Sequence, residues 1–394
     1  MTPAARIEAA IGILDRILSG TAAEQALTGW ARASRFAGSG DRTAIRDLVF
    51  DALRCRRSFT VRAGAAAPTG RALMIGTLVA SGTDPDAVFS GQGYAPAPLD
   101  ADERAALATA PVEADLPELV ALDCPDWIAP ALRGSLGADF SEVLKAERER
   151  APVFLRVNAV RGSRADARAA LARDGIDSEP EEGVNFALKV TQNPQKIRNS
   201  SAYLGGLVEL QDLSPQAAVE ALPLRPGDSV LDYCAGGGGK ALALAARGVR
   251  SVTAHDALPQ RMRDLPARAA RAGADVALAD TRSLRGREFD LVLVDVPCSG
   301  TGTWRRTPDA KWTLTAERVA DLVRLQADIL DAAEHFVAPK GHLAYMTCSL
   351  LAEENRAQID RFVARSPGWG LVEDRLYTSL GGGDGFYSAL LTRV

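Results

Sequence analysis

The sequence predicts an α/β fold for the C-terminal part of the chain, preceded by a small mixed α/β unit and an all-helical N-terminal region. From Pro226 onward, strand-like and helix-like segments alternate regularly, which is typical of a parallel sheet. Short alternating segments fill residues 151–210 and predict the mixed unit. Helical periodicity in the first seventy residues predicts the helical region.

The composition is that of an ordinary globular protein. The chain has 394 residues, 47% of them hydrophobic, and a net charge of −4, which argues against a wholly electrostatic nucleic-acid binder. Five widely separated cysteines without CxxC spacing indicate neither a disulfide framework nor a metal site. Neither a signal peptide nor an apolar run of membrane-spanning length is recognisable. We therefore expect a cytoplasmic protein without bound metal, and a monomer by default.

A glycine-rich turn follows the first strand of the alternating series. The strand Ser229–Tyr233 leads into Gly236–Gly239, and a helix is predicted to begin at Lys240. Such a turn lets a ligand approach the backbone closely. Acids recur at the ends of the next strands, at Asp256, Asp280 and Asp295. An acid about twenty residues beyond the turn is the usual position of a ribose-binding carboxylate, so a nucleoside-containing cofactor is expected.

Two cysteines also follow predicted strands. In LVLVDVPCSGTGT, residues 291–303, the strand ends at Asp295 and the chain turns through Cys298. A thiol at this edge of a sheet is a candidate nucleophile, although Cys298 alone also fits a small buried residue in a tight turn. Cys348 follows a second predicted strand, His342–Met346. The two thiols therefore stand at the ends of what should be neighbouring strands.

Two basic segments are candidates for contact with nucleic acid. Residues 32–71 contain nine arginines and three aspartates. Three of these arginines, Arg54, Arg56 and Arg57, either hold phosphates or form the solvated face of a helix, and charge alone leaves both interpretations open. The segment after Thr303 combines two tryptophans with basic side chains, a pattern that clamps phosphates and stacks on bases. Its members are Trp304, Arg305, Arg306, Lys311 and Trp312.

Three motifs in this order and spacing resemble the RNA cytosine-5 methyltransferases of the RsmB, Nop2 and Sun family. They are LDYCAGGGGK, DVPCSGTGTWRRTPDAKW and TCSLLAEEN. The resemblance also includes RVN at Arg156–Asn158, QDLSPQ at Gln211–Gln216 and DGFYSALL near the end. GDRTAIRDLVFDALRCRR resembles the NusB-like helical domain of the RsmB branch.

The resemblance implies three domains and a cofactor. The expected domains are a NusB-like RNA-binding region over 1–140, an RRM-like α/β subdomain over 145–215 and a catalytic domain over 216–394. The catalytic domain is expected to be a class I S-adenosylmethionine-dependent methyltransferase with a Rossmann-like, mostly parallel seven-stranded sheet. Small-subunit (16S) ribosomal RNA is the expected substrate, and transfer RNA is the alternative.

The resemblance also implies a role for each site residue. Carbon 5 of cytosine is too electron-poor to attack a methyl donor, so a thiolate first adds to carbon 6. By resemblance Cys348 is this nucleophile, Cys298 assists release of the product, and Asp295 holds the base together with Lys240. The expected cofactor-binding residues are Cys234, Ala235, Gly236, Gly237, Gly238, Gly239, Lys240, Asp256, Arg261, Asp280 and Asp295. Asp256 is expected at the ribose and Asp280 at the adenine. The expected RNA surface consists of Arg54, Arg56, Arg57, Arg305, Arg306 and Lys311.

One motif departs from the family pattern. Gly236 and Gly237 stand where the family has Ala-Pro, and Ala241 replaces Thr. Four consecutive glycines make the free loop less ordered, which should cost about 1 kcal/mol on binding, so weaker cofactor affinity is expected.

Two rival functions are a non-catalytic RNA-binding assembly factor, which needs none of the four catalytic residues, and a DNA cytosine-5 methyltransferase. In the latter, the cysteine of the Pro-Cys motif would be the nucleophile.

Overall fold

The computed structural model describes residues 1–393, which form two compact units. The helical unit comprises residues 1–150 together with 304–314, and the α/β unit comprises the rest of the described chain. The helical unit contains α1 Pro3–Leu18, α2 Ala23–Ala33, α3 Ser39–Arg54, α4 Arg56–Arg62, α5 Gly70–Ala80, α6 Pro85–Val88, α7 Ala101–Thr109, α8 Glu118–Ala121, α9 Ala129–Leu136 and α10 Phe140–Glu147.

The α/β unit continues the chain after Arg150. It contains β1 Val153–Val157, α11 Arg164–Arg173, β2 Ser178–Pro180, β3 Ala187–Val190, α12 Ser201–Leu204, β4 Val208–Leu210, α13 Leu213–Ala221, β5 Ser229–Asp232, α14 Gly239–Ala245, β6 Ser251–His255, α15 Leu265–Ala272, β7 Val276–Ala279 and β8 Phe289–Asp295. α16, Pro308–Thr313, belongs to the helical unit. The last elements are α17 Ala316–Ala333, β9 Val337–Thr347, α18 Arg356–Arg365, β10 Trp369–Tyr377 and β11 Phe386–Arg393.

The first seventy residues are helical, as their periodicity predicts. Thr2 caps α1 by accepting the N–H of Ala5, and Pro3 fits the first turn because its missing N–H would be unpaired there. Ile13 and Leu14 of α1 are fully buried in a core that continues through α2, α3, α4 and α5. Burial of this apolar face supplies most of the stability of such helices.

The α/β unit contains two sheets. The smaller sheet has the strand order β2-β3-β1-β4 with antiparallel pairing throughout. The larger sheet has seven strands in the order β10-β11-β9-β8-β5-β6-β7. Five of these strands, β5 to β9, are parallel, and β10 and β11 are antiparallel. The mostly parallel seven-stranded sheet implied by the family resemblance is therefore confirmed.

Residues 304–314, which we call the inserted segment, are part of the helical core rather than of an exposed loop. Trp304 is 1% exposed and Lys311 is 2% exposed. The Lys311 ammonium donates to the carbonyl oxygens of Arg54 and Asp123, at 3.3 and 3.2 Å. The Trp312 indole N–H donates to the carbonyl of Leu53 at 2.7 Å. These bonds tie the inserted segment to the end of α3.

The burial of these side chains corrects half of the predicted RNA surface. Arg54 and Arg305 are 5% and 4% exposed, and the Arg54 guanidinium donates to the Arg305 carbonyl at 2.8 Å. The prediction that Arg54, Arg305 and Lys311 lie on a surface is wrong, because all three residues are buried, and the charged groups of Arg54 and Lys311 donate to backbone carbonyls. Arg56, Arg57 and Arg306 remain partly exposed.

Lys311→Met should destabilise the protein by about 2–4 kcal/mol. Methionine fills similar volume, but it leaves two buried carbonyls without the Lys311 donor and removes one of the two cations beside the buried Asp123 carboxylate, the other being Arg148. Lys145→Met is the matched control, because Lys145 is 57% exposed and its ion pair is with Glu142 on its own helix. Urea unfolding measures the difference, and equal stability of the two variants would contradict the structural role of Lys311.

Candidate functional site

The carboxyl ends of β5, β8 and β9 define one edge of the seven-stranded sheet. β8 pairs in parallel with both β5 and β9, with Asp232 opposite Leu293 and Asp295 opposite Met346. The segments that follow these strands carry Lys240, Cys298 and Cys348 respectively. Parallel pairing therefore brings three distant motifs to one edge, where ligands bind in open α/β sheets.

The glycine-rich turn after β5 has the backbone conformation that a close ligand approach requires. Gly236 and Gly238 have φ of 51° and 79°, in the left-handed region that favours glycine. A Cβ at Gly238 would lie 2.2 Å from the Leu265 side chain, so only glycine fits there. The Gly236 N–H donates to the Asp256 carboxylate at 2.9 Å, and the Arg261 guanidinium lies 3.6 Å from the same carboxylate.

Two predicted cofactor-binding residues lie outside this set of contacts. The exposed Asp280 carboxylate accepts the Ser283 N–H at 2.8 Å, and this backbone hydrogen bond lowers the pKa of Asp280. Cys234 is partly exposed, and burial together with the Asp232 charge raises the pKa of its thiol. Asp256 and Arg261 therefore lie at the glycine-rich turn, whereas the Asp280 carboxylate bonds within its own loop, to Ser283.

Lys240 and Asp295 form an ion pair at the centre of the edge. Their charged atoms are 2.5 Å apart, with 13% of the Lys240 side chain and 33% of the Asp295 side chain exposed. Burial alone would lower the pKa of Lys240, but the Asp295 carboxylate outweighs it and the pKa is raised. The Lys240 ammonium also lies 5.2 Å from the Phe386 ring centre.

Sequence reasoning missed Asp232, which lies beside this pair. Its carboxylate is 1% exposed, and burial raises its pKa to about 7, opposed mainly by the charge of Lys240. The sequence does contain a signal for Asp232, because it is the one acidic residue in the predicted strand Ser229–Tyr233.

The sulfur atoms of Cys298 and Cys348 are 3.2 Å apart, and both residues are partly exposed free thiols. The hydrogen bond to Cys348 raises the pKa of Cys298 most, followed by burial, by the charge of Cys348 and then by the charge of Glu354. On the other side of the pair, Lys240 interacts electrostatically with Cys348. The two thiols therefore face opposite charges.

The described residues contain no cluster of three or more His, Cys, Asp or Glu that could hold a metal ion. Within the same residues, no helix is both long and apolar enough to cross a membrane.

Comparisons with known proteins find similarity to methyltransferases. Residues 219–390 match the family described as 16S rRNA methyltransferase RsmB/F, and residues 124–197 match an RsmF/B-like ferredoxin-like domain. A ribosomal RNA small subunit methyltransferase B from Photorhabdus laumondii subsp. laumondii is 34% identical over 284 residues. The match covers 68% of this chain and 66% of the relative, so the chain spans just under two thirds of that relative's length.

Solved structures share the fold. The crystal structure of PH0851 matches with a TM-score of 0.75 and 21% identity, covering 100% of this chain and 99% of that chain. A methyltransferase homologue from Pyrococcus horikoshii matches with a TM-score of 0.62 and 24% identity, covering 70% of this chain and 98% of that chain.

Proposed function

The chain belongs to the RsmB/F methyltransferase family, and we propose that it transfers a methyl group from S-adenosylmethionine to carbon 5 of a cytosine in RNA. The observation that carries this proposal is the contact between two free thiols beside a lysine–aspartate pair. The name of the similar Photorhabdus protein favours small-subunit ribosomal RNA as the substrate. We propose that the protein acts in the cytoplasm.

The residues of the glycine-rich turn fit S-adenosylmethionine. The left-handed glycines keep the turn free of side chains, and the buried Asp256 carboxylate lies against its backbone. The turn residues from Cys234 to Lys240 would line the methionine and ribose parts, with Asp256 at the ribose, Arg261 beside it and Asp280 on the adenine side. When bound, the cofactor supplies an electrophilic methyl group.

The charges around the thiol pair assign the two cysteines different roles. The hydrogen bond to Cys348, burial and the charge of Glu354 raise the pKa of Cys298, which favours its thiol form. We therefore assign the attack to Cys348, the sulfur on the side of the Lys240 cation. The Cys348 sulfur attacks carbon 6. The electron pair of the C5–C6 double bond is then delocalised over carbon 5 and the N3 side of the ring, which makes carbon 5 nucleophilic.

Lys240 and Asp295 act on the polar edge of the base. Asp295 has one carboxylate oxygen bound to Lys240 and is one-third exposed, so its other oxygen can accept a hydrogen bond from the cytosine amino group. The nearby Lys240 ammonium stabilises the negative charge that develops on the ring after attack. Both groups are held before substrate arrives, because their ion pair already exists.

Release reverses the attack. Water takes the proton from carbon 5, the C5–C6 double bond re-forms, and the C6–S bond breaks with its electron pair on Cys348. The Cys298 thiol, 3.2 Å from that sulfur, donates a hydrogen bond to the departing thiolate. Without this donor the covalent adduct should persist.

A groove of about 400 Å³ in the helical unit is the proposed contact for single-stranded RNA. Its lining includes Arg56, Trp127 and Trp312, and Trp127 is 43% exposed. The Arg56 guanidinium lies 5.2 Å from the Trp312 ring centre and has no hydrogen-bonding or ion-pair partner among the described residues. Arg57 is less available, because it pairs with Asp126 at 2.8 Å. A free cation beside indoles matches the phosphate and base of a nucleotide.

Cys348→Ser should abolish methylation of an RNA substrate, and Cys298→Ala should accumulate a denaturation-resistant protein–RNA adduct. The first variant lacks the nucleophile, and the second lacks the donor that assists departure of Cys348. Denaturing gel electrophoresis of labelled RNA measures the adduct, with the Cys298→Ala/Cys348→Ser double variant as control. The reverse pattern, with the adduct formed through Cys298, would contradict these roles and favour the chemistry of DNA cytosine-5 methyltransferases.

Gly237→Pro should tighten S-adenosylmethionine binding several-fold. Gly237 does not have a positive φ, and a Cβ there meets only the flexible end of Arg268 at 3.2 Å, so proline removes freedom from the free loop at little steric cost. Gly238→Ala is the contrasting variant, because its Cβ would clash with Leu265 and weaken binding. Calorimetry measures both affinities, and tenfold weaker binding of the Gly237→Pro protein would refute the entropic explanation.

Arg56→Met should weaken binding of a single-stranded RNA about tenfold and reduce the salt dependence by about one phosphate contact. Arg133→Met is the control, because Arg133 also lies over an aromatic ring, at 4.2 Å from the Phe140 ring centre, but pairs with Glu118. Fluorescence anisotropy at several salt concentrations measures both effects. Equal affinity of the two variants would exclude the groove as an RNA contact.

A further inference from the structure

Glu354 is a completely buried carboxylate that the mechanism above does not use. Its exposed fraction is 0%. One oxygen accepts the Ser299 backbone N–H at 2.8 Å and the Gln326 amide at 2.9 Å. The other accepts the hydroxyls of Ser299 and of Ser349, the latter at 2.5 Å. All four partners are uncharged donors, which is the environment of an ionised acceptor.

These contacts join the two segments that carry the thiols. Ser299 directly follows Cys298, and Ser349 directly follows Cys348. Gln326 of α17 donates to both Glu354 and the Pro297 carbonyl, which lies just before Cys298. Glu354 therefore holds both cysteines through their neighbours, one residue away in each case.

A second set of bonds fixes the same two segments. The Thr301 hydroxyl accepts the Leu350 N–H at 2.8 Å, and the Gly302 N–H donates to the Cys348 carbonyl at 3.0 Å. The Thr301 hydroxyl also lies 3.3 and 3.2 Å from the hydroxyls of Ser299 and Ser349, but Glu354 is the carboxylate that both serines share. Loss of its charge would leave buried donors facing a neutral group.

We propose that Glu354 is the positioning residue that keeps the Cys298 and Cys348 sulfurs in contact and the proton of the pair on Cys298. The role rests on the proposed methyl transfer, in which Cys348 attacks and Cys298 assists release. Glu354 touches neither substrate nor cofactor in this account, so it acts only through Ser299 and Ser349.

The charges around the pair support the second half of the proposal. Cys298 faces Cys348, the Glu354 carboxylate and the Tyr345 hydroxyl, none of which carries a positive charge. Cys348 is the thiol on the Lys240 side. A neutral residue at 354 removes the negative charge that disfavours a Cys298 thiolate, so the pKa of Cys298 should fall.

The test compares Glu354→Gln with Glu353→Gln, whose side chain is exposed on the neighbouring position. Mass spectrometry follows iodoacetamide alkylation of Cys298 and Cys348 separately across a pH series, and single-turnover kinetics follow methylation of RNA. In Glu354→Gln the alkylation midpoint of Cys298 should move to lower pH, and the methylation rate should fall about 100-fold with little change in RNA affinity. Glu353→Gln should match the wild type in both readouts.

A wild-type Cys298 profile and a methylation rate within about threefold of wild type in Glu354→Gln would overturn the proposal. If that variant does not fold, Ser349→Ala is used instead, because it removes one hydrogen bond to Glu354. A fall of about tenfold in the methylation rate then supports the proposal, and an unchanged rate overturns it.

Glu354→Asp distinguishes the effect of the negative charge from the effect of side-chain length, because aspartate should keep the Cys298 alkylation profile and lower the methylation rate. If Glu354→Gln shifts the alkylation profile but the wild type methylates no RNA, the positioning role stands and the proposed function fails.

Discussion

The parallel pairing of β8 with β9 is the constraint on which the site depends. It places Cys298 and Cys348, fifty residues apart in the sequence, after adjacent strand ends with their sulfurs 3.2 Å apart. The pairing of β8 with β5 adds Lys240 to the same edge, where it meets Asp295. Without these two pairings the chain would carry the same residues in three unconnected loops.

The site is asymmetric although its two thiols are chemically alike. Lys240 lies on the side of Cys348, and the buried Glu354 acts on Cys298. One sulfur is thereby suited to attack and the other to keep its proton. In the proposed mechanism, the environment of each thiol, rather than the thiol itself, distinguishes the nucleophile from the assistant.

Residues at strand ends were predictable, and buried polar partners were not. Apolar runs that end in Asp295 or precede Cys348 predict strands of a parallel sheet, whose carboxyl ends lie at one edge. The sequence therefore predicts that Asp295, Cys298 and Cys348 lie near one another. Lys311 and Arg54 were misplaced because charge predicts a surface, and the sequence does not reveal that carbonyls of another segment satisfy them. Glu354 was visible within TCSLLAEEN, but its role depends on Ser299, which lies 55 residues away.

Bisulfite sequencing of total RNA tests the central claim most directly. RNA from a strain that lacks this protein is compared with RNA from the same strain carrying the wild-type gene. Cytosine-5 methylation predicts at least one cytosine of small-subunit ribosomal RNA that resists conversion only when the protein is present. Identical conversion of every RNA cytosine in the two strains would contradict the proposal that the chain is an RNA cytosine-5 methyltransferase.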